Sequence, residues 1–576
     1  MSYKIIIKDR NYQEWNIVLA SSANDLDKEL NVDPMSNKLF SNDIFDYNKV
    51  SGEINIIHSS IRNIDNIPAV IILENNKTYG RHPNNNKLLY KCVPNDTQLP
   101  TFLVPYEIKH MGFSKVFVNQ FVTMKFANWN SKHPLGILTQ VIGPVDICEN
   151  FYEYQLYCNN LNISLNKINK ATNKSLQDMG IKQDTFIQDL ALCHEKKDGL
   201  IEDRTDWQVF TIDPEGSLDF DDAFSIKTLD NGHILLSIYI ANVPLCLERL
   251  NLWDDLTNRT STIYLPDKKR TMLPIILSDC LCSLQANACR YVFTLDLVID
   301  SESNGIISSK FSNSIIKVFK NFVYEERALL RHPLYKSLSL VVLQMVAKYP
   351  YVKHIGDSHD VVCYLMILMN HLSAKEMLGF NAGIFRATTN SQASLEETTT
   401  IPHDILQFID IWRSTSGKYI VTNTNTNHSI LGLDAYIHIT SPIRRLVDVL
   451  NMLKLQECAG IYTWSESALI FYNKWIKDID IINSSMKAIR RVQNDCNLLH
   501  LCYSNPSVLE KIYDGYCFDE KILSAELYKY NIYLPDLRIF STVVCRKLDQ
   551  YSKQQYKLFV FHNEDKMKKK IRIHLV

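Results

Sequence analysis

Hydrophobic and polar positions divide the chain into tracts of different period. Over residues 1–200 the apolar residues come in short runs broken by turn residues, as in "PAVIILENNKTYGRH", "FVNQFVTMKFANW" and "GILTQVIG", with "LVPYEI" and "EYQLYC" shorter still. Each reads as a strand, and many short strands with frequent turns predict small β-barrels or sandwiches. A polar, helical pattern from about Lys167 to His194 suits a connector. Between residues 203 and 300, "WQVFTID" predicts a strand, and "AFSIKTLDNGHILLSIYIANV" sets two apolar runs around Asp230-Asn231-Gly232, a hairpin signal. From about Tyr324 to Asn505 the period becomes helical, as in "HDVVCYLMILMNHLSAKEML" and "SALIFYNKWIKDIDIINSSMKAIRRVQNDCNLL". Most residues of those stripes are core. From about Gly515 strands return in "NIYLPDL", "STVVCRKL", "YKLFVFH" and "KIRIHLV", which suits another small barrel.

Three stretches break the pattern with chemistry. "TIDPEGSLDFDDAFSI" (Thr211 to Ile226) crowds Asp213, Asp219, Asp221 and Asp222 onto a loop between two predicted strands. Two unit charges about 4 Å apart repel by roughly 4 kcal/mol near a protein surface, so the loop is either splayed into water or built around a cation. Carboxylates are hard oxygen ligands suited to Mg2+ or Mn2+, ions that can polarise a phosphoryl oxygen and activate water. Taken alone, the loop leaves these two readings even, and it does not follow the EF-hand order. "IHITSPIRRLVDVL" (Ile437 to Leu450) predicts a helix with Ser441 as N-cap, Pro442 at the first helical position and Arg444 and Arg445 in the first turn. Free amides beside a guanidinium suit a phosphate better than the helix dipole alone would suggest. "NRTSTIYLPDKKRTMLP" (Asn258 to Pro274) could track a nucleic-acid backbone with Arg259, Lys268, Lys269 and Arg270 while Tyr264 stacks on a base, although such a loop is usually only solvated.

Composition narrows the partners. The 576 residues are 46% hydrophobic and 22% charged, with a net charge of −1, so any attraction for nucleic acid must be local. Fourteen cysteines without a CxxC pair read as reduced thiols. No uninterrupted apolar segment opens the chain, and "VVCYLMILM" is too short to span a bilayer. These features predict an intracellular, cytoplasmic protein without a membrane partner.

In this order and spacing, the stretches resemble the catalytic (RNB) domain of the RNase II / RNase R family, which includes the exoribonuclease subunit of the eukaryotic exosome. The family's ID, five residues, D, one residue, DD is met by Ile212-Asp213, Asp219 and Asp221-Asp222; "RTSTIYLPDKKRTMLP", "LSDCLCSL" and "TSPIRR" follow in register. The resemblance covers about 203–505. It implies an α+β multidomain protein. One or two OB-like, cold-shock-type barrels would fill residues 1–200, and a mixed α/β RNB domain with a largely helical second half would span 203–505. A short C-terminal OB-like RNA-binding barrel would occupy 515–576. It further implies 3′→5′ hydrolysis of single-stranded RNA to 5′-mononucleotides with two metal ions, Mg2+ or Mn2+, and a larger RNA-processing complex as a conceivable setting. Asp213, Asp219, Asp221 and Asp222 would hold metal, with Asp221 the most critical to the chemistry. Tyr264 would orient the 3′-terminal nucleotide, Arg444 would stabilise charge on the scissile phosphate, and Arg445 would lie along the RNA path. The family's HIAD is "YIAN" here, placing Asn242 where the family has an acid, and SPIRRYPD is "SPIRRLVD". Cys363 and Tyr364 stand where the family has paired glutamates near the ribose, which leaves RNA-versus-DNA discrimination open. The competing readings are an RNB-like RNA-binding protein without catalysis and a structural metal-binding protein; the intact aspartates and Arg444 argue against the first, the SPIRR element against the second.

Overall fold

The computed structural model describes residues 2–26, 30, 32–48, 51–108, 117–180, 201–352, 354–387, 402, 405, 408–409, 417–421 and 432–576. The chain forms two compact units: Met1–Asn162 with Leu265–Lys268 and Ala488–Val576, and Ile163–Tyr264 with Lys269–Lys487.

In the first unit the short-run pattern becomes two β layers. Ser22–Leu26, Trp15–Leu19, Ser2–Ile7, Ile44–Tyr47 and Ile54–His58 make a five-stranded sheet in that order. Leu135–Pro144, Phe102–Pro105, Leu89–Pro94, Ile67–Ile71 and Gln120–Asn128 close a barrel. Both feed one core, in which Phe40 stacks on Phe102 and meets Trp129. "EYQLYC", expected as a strand, lies instead in the helix Cys148–Cys158. Tyr154 and Leu156 are two apart, as in a strand, but Phe151, Tyr152, Tyr154 and Leu156 are all buried, and Tyr154 stacks on Phe121 of the barrel at 4.3 Å. Packing on the barrel decides between two periods that a six-residue run cannot separate. The tail forms a five-stranded sheet, Ile539–Cys545, Tyr528–Leu534, Ile512–Ile522, Lys553–Asn563 and Lys568–Leu575 in that order. The connector expected to reach His194 is a helix over Asn166–Asp178; residues 181–194 lie outside those described.

The second unit is built on a closed barrel of Ile201–Asp213, Asp222–Thr228, Ile234–Ala241, Cys289–Ile299 and Ile306–Val323. The hairpin expected around Asp230-Asn231-Gly232 is present: Gly232 takes φ +81°, and Leu229 N–H donates to His233 O at 2.8 Å. Alternate residues of each strand enter different cores. Phe210, Ile212, Leu236, Ile238 and Ile240 join one that includes Leu338, Val342, Leu365 and Leu368; Val209, Tyr239 and Ala241 join another with Leu245, Leu247, Val449 and Leu450. Both strand faces are covered, which explains why these strands read as continuous apolar runs. The helix Ser358–Gly379 is, by length and composition, apolar enough to cross a membrane, longer than the run "VVCYLMILM" suggested. It serves as a core helix, with Val361, Tyr364, Leu365, Leu368 and Met369 buried.

Candidate active site

The aspartate loop spans the gap between two barrel strands. Asp213 ends Ile201–Asp213 and Asp222 begins Asp222–Thr228. The two strands share a single registered pair, Phe210 with Phe224, so the chain between them is free to splay. Ser283, fully buried, clamps the loop: its hydroxyl accepts from Phe220 N–H (3.1 Å) and donates to Leu218 O (2.7 Å), while Leu284 N–H donates to Phe220 O (3.0 Å). Arg290 holds the backbone of that segment through Ser283 O and Cys280 O at 2.8 and 2.7 Å. This is the structural work of "LSDCLCSL", whose first half forms a π-type turn over Ile276–Leu281.

The four carboxylates have unlike environments. Asp221 is 4% exposed; its Oδ1 accepts from Ile443 N–H (2.9 Å) and its Oδ2 from Arg444 Nε (3.1 Å). Asp219 accepts from Lys269 Nζ at 2.8 Å. Asp213 Oδ2 and Asp222 Oδ2 are shut off from solvent with no hydrogen-bond partner. Burial, with the Asp221 and Asp219 charges adding to it, pushes Asp213 up to about 7 against the Thr211 hydroxyl and Arg444. Burial likewise lifts Asp221 to about 6, opposed by Arg444 and the Ile443 amide. Asp222 is raised well above the usual carboxylate range by burial and then by Asp213 and Asp221. Two orphaned, mutually repelling hard oxygens fit a divalent cation of the Mg2+ or Mn2+ type, which would supply the missing positive charge. Among the described residues, the group whose ligand atoms already lie within 4.8 Å of one another is a different one, Asp357, His359 and Asp360. Its carboxylates cap a helix start, accepting from Asp360 N–H (2.9 Å) and Gly356 N–H (2.7 Å), which accounts for them without an ion.

The "TSPIRR" element corrects the expected helix start. Arg444 N–H donates to Ser441 O (3.2 Å) in a turn, Arg445 is extended at φ −140° and ψ 121°, and the helix begins at Leu446. The cap signature yields to pairing with "NRTST". Thr262 N–H and the Ser261 hydroxyl both donate to Arg444 O (2.9 Å each), Arg445 bridges to Ser261, and Leu446 N–H donates to Thr260 O (3.0 Å). The two adjacent arginines therefore diverge. Arg444 keeps a half-exposed side chain and sets Nη2 on the Ser441 hydroxyl at 3.1 Å. Arg445 forks onto the fully buried Asp448 at 2.7 and 2.9 Å, and Asp448 also accepts from Ser441 N–H at 2.8 Å.

Tyr264 is 41% exposed on the two-residue strand Ile263–Tyr264, paired with Lys269–Arg270. Lys268 is exposed between them. Arg259 donates to Thr271 O and Ile163 O, so its guanidinium holds backbone in place. Asn242, the departure from the family acid, is explained by its surroundings: its Oδ1 caps a helix by accepting from Leu245 N–H (3.1 Å), and its Nδ2 donates to buried Asn313 (2.9 Å). Tyr364 is fully buried, whereas Cys363 is half-buried. Two contributors had no distinct sequence signal. Tyr324 N–H donates to Asp213 O (3.0 Å), and its phenol is raised by burial and then by the Asp222 and Asp213 charges. Asp279 shares Lys269 with Asp219.

A second surface of interest lies on the tail sheet. Lys557, Phe559 and Phe561 pair in register with His574, Arg572 and Lys570. On this face Arg572 lies 4.5 Å from the Phe561 ring centre, and Phe559 is 45% exposed.

The barrel, the aspartate loop and the arginine turn all fall within stretches that resemble the RNB domain. The RNB domain model matches residues 201–332 and 344–459. The chain is 28% identical over 219 residues to DIS3-like exonuclease 2 of Schizosaccharomyces pombe, covering 36% of this chain and 22% of that one. It is 26% identical over 314 residues to Ribonuclease R of Aquifex aeolicus, covering 42% and 44%. Each match thus spans less than half of the relative's length. Mycoplasma genitalium RNase R, solved with ribose methylated single-stranded RNA, shares the fold over 100% of both chains at TM-score 0.66 and 16% identity. Yeast Ssd1, a pseudonuclease, shares it over 98% of this chain and 81% of its own at 0.58 and 14%. The resemblance read from the motifs, and the α+β fold with barrel-like sheets flanking an RNB domain, are borne out.

Proposed function

We propose that this chain is a metal-dependent 3′→5′ exoribonuclease that hydrolyses single-stranded RNA to 5′-mononucleotides. The observation that carries it is the pair of orphaned buried oxygens on Asp213 and Asp222 beside an Arg444 whose guanidinium stays half exposed. A divalent ion there, Mg2+ or Mn2+, would polarise the scissile phosphate and activate water. Asp213 and Asp222 would hold it. Asp221 aims Arg444, which faces outward with donors suited to two phosphate oxygens. Tyr264 offers an exposed ring to the terminal base, and the basic, aromatic face of the tail sheet suits a single strand. The cytoplasm is the proposed setting; an RNA-processing complex is the proposed context, in keeping with relatives named as exosome exonucleases.

A second reading, an RNA binder without catalysis, draws on the fold shared with a pseudonuclease. One experiment separates the two: 5′-labelled single-stranded RNA incubated with Mg2+, with and without EDTA, for wild type and Asp221→Asn. The exonuclease gives stepwise shortening and mononucleotides that EDTA abolishes, and Asp221→Asn binds RNA but does not cut. Binding without shortening in wild type establishes the second reading.

A further inference from the structure

The four aspartates differ in what neutralises them. Asp221 has committed both oxygens, to Ile443 N–H and to Arg444. Asp213 and Asp222 each keep a buried oxygen without a partner. Asp219 is met by an ammonium: Lys269 Nζ lies 2.8 Å from Asp219 Oδ1 and 3.3 Å from Asp279 Oδ1. This ion pair is built into the site. Lys269 sits on a strand paired with Ile263–Tyr264, and its side chain is 25% exposed against 14% and 12% for the two aspartates. Asp279 is fixed in the π-type turn and accepts from the Ser278 hydroxyl at 2.6 Å. The backbone beside Asp219 is clamped by Ser283.

We propose that Lys269 is the resident cation of the Asp219 corner, so that the centre takes one divalent ion, at Asp213 and Asp222, instead of two. The inference rests on the metal-dependent reading of the site. A second ion would need a free carboxylate, and Asp219 already carries an ammonium on Oδ1. A metal and an ammonium sharing one carboxylate oxygen would stand within a few ångströms of each other and repel. An ammonium supplies fixed positive charge but cannot ligate a water, so activation of water falls to the single ion. Lys269 thus acts as a positioning and charge-supplying residue, and the RNA-tracking role expected for it is replaced.

The test is the stoichiometry of Mn2+ binding to the intact chain, read from the loss of the free-ion signal in electron paramagnetic resonance. Wild type should bind one Mn2+ and Lys269→Met two, because the substitution frees Asp219. Lys269→Arg should return the count to one, and the dependence of cleavage on Mn2+ should steepen only in Lys269→Met. Lys269→Gln serves in its place if the methionine variant melts early. Two Mn2+ on wild type overturns the inference and leaves the nuclease reading intact. One on wild type and on folded Lys269→Met makes the lysine a structural ion pair and also overturns it. No Mn2+ on any variant sinks the metal reading, and the inference with it.

Discussion

Arg444 and Arg445 are neighbours in sequence with opposite duties. Arg444 leans on Asp221 with half its side chain in solvent; Arg445 forks onto a carboxylate that has none. Arg444→Lys keeps the charge but loses the planar fork, so single-turnover cleavage should slow about a hundred- to a thousandfold, worth roughly 2.7–4 kcal/mol, with little loss of RNA affinity. Arg445→Lys should leave the rate near normal and lower the melting temperature, because one of two bonds to buried Asp448 is lost; breaking such a pair outright costs about 3–5 kcal/mol. The reverse pattern, a slow Arg445→Lys beside a normal Arg444→Lys, would exchange their roles. That both arginines mattered was visible in "SPIRR"; which way each faces was not. The direction depends on strand-like pairing with Thr260–Thr262, some 180 residues away in the chain, and no local signal reports it. Lys269 turns on the same point: three basic residues in a row look like an RNA track, and only the fold brings Asp219 and Asp279 to one of them.

At the level of elements, the aspartate loop was the most legible part, since strand, acidic loop and hairpin follow directly from period and turn chemistry. Its clamp was less so: Ser283 is a small residue in an apolar run, and only burial reveals that it holds the loop backbone. The loop should make the metal-free protein sensitive to pH. Asp213 and Asp221 are lifted to about 7 and about 6, above the value near 3.9 expected in an unfolded chain. The folded state then binds these protons more tightly, so the contribution is most stabilising below about pH 4 and is lost as pH rises through 6 and 7. In EDTA, the melting temperature of wild type should therefore fall relative to Asp213→Asn over that range. Mg2+ should restore it most at the high end. Parallel curves for the two proteins in EDTA would remove the burial argument. Elsewhere, the helix Cys148–Cys158 shows the limit of period: Tyr154 and Leu156 are spaced like a strand's, and the barrel on which the helix packs determines the outcome.

For the molecule as a whole, a net charge of −1 conceals local basic surfaces. The face of Lys557, Phe559, Phe561, Lys570 and Arg572 was partly legible, because "YKLFVFH" and "KIRIHLV" alternate, but only the register between the two strands sets aromatic against cation. RNA affinity should fall with salt at a log–log slope of about −0.7 for each phosphate neutralised. Arg572→Ala should make that slope shallower by about one such step while leaving the cleavage rate of bound substrate unchanged. An unchanged slope would place the strand elsewhere. Three strands of the central barrel were foreseen, Cys289–Ile299 and Ile306–Val323 were not, and the closure that pairs Ile201–Asp213 in parallel with Ile306–Val323 joins segments a hundred residues apart and leaves no trace in local pattern.

That barrel is unevenly laced. Cys289–Ile299 and Ile306–Val323 are registered along their shared length, whereas the strands bearing Asp213 and Asp222 meet only at Phe210 and Phe224. An ion gripped by both aspartates would act as a rivet across the one seam that hydrogen bonds leave loose. Deuterium uptake would record this directly: adding Mg2+ should slow exchange at the amides flanking the seam, around Phe210–Asp213 and Asp222–Phe224, well before it alters the already protected ladder on the far side of the barrel.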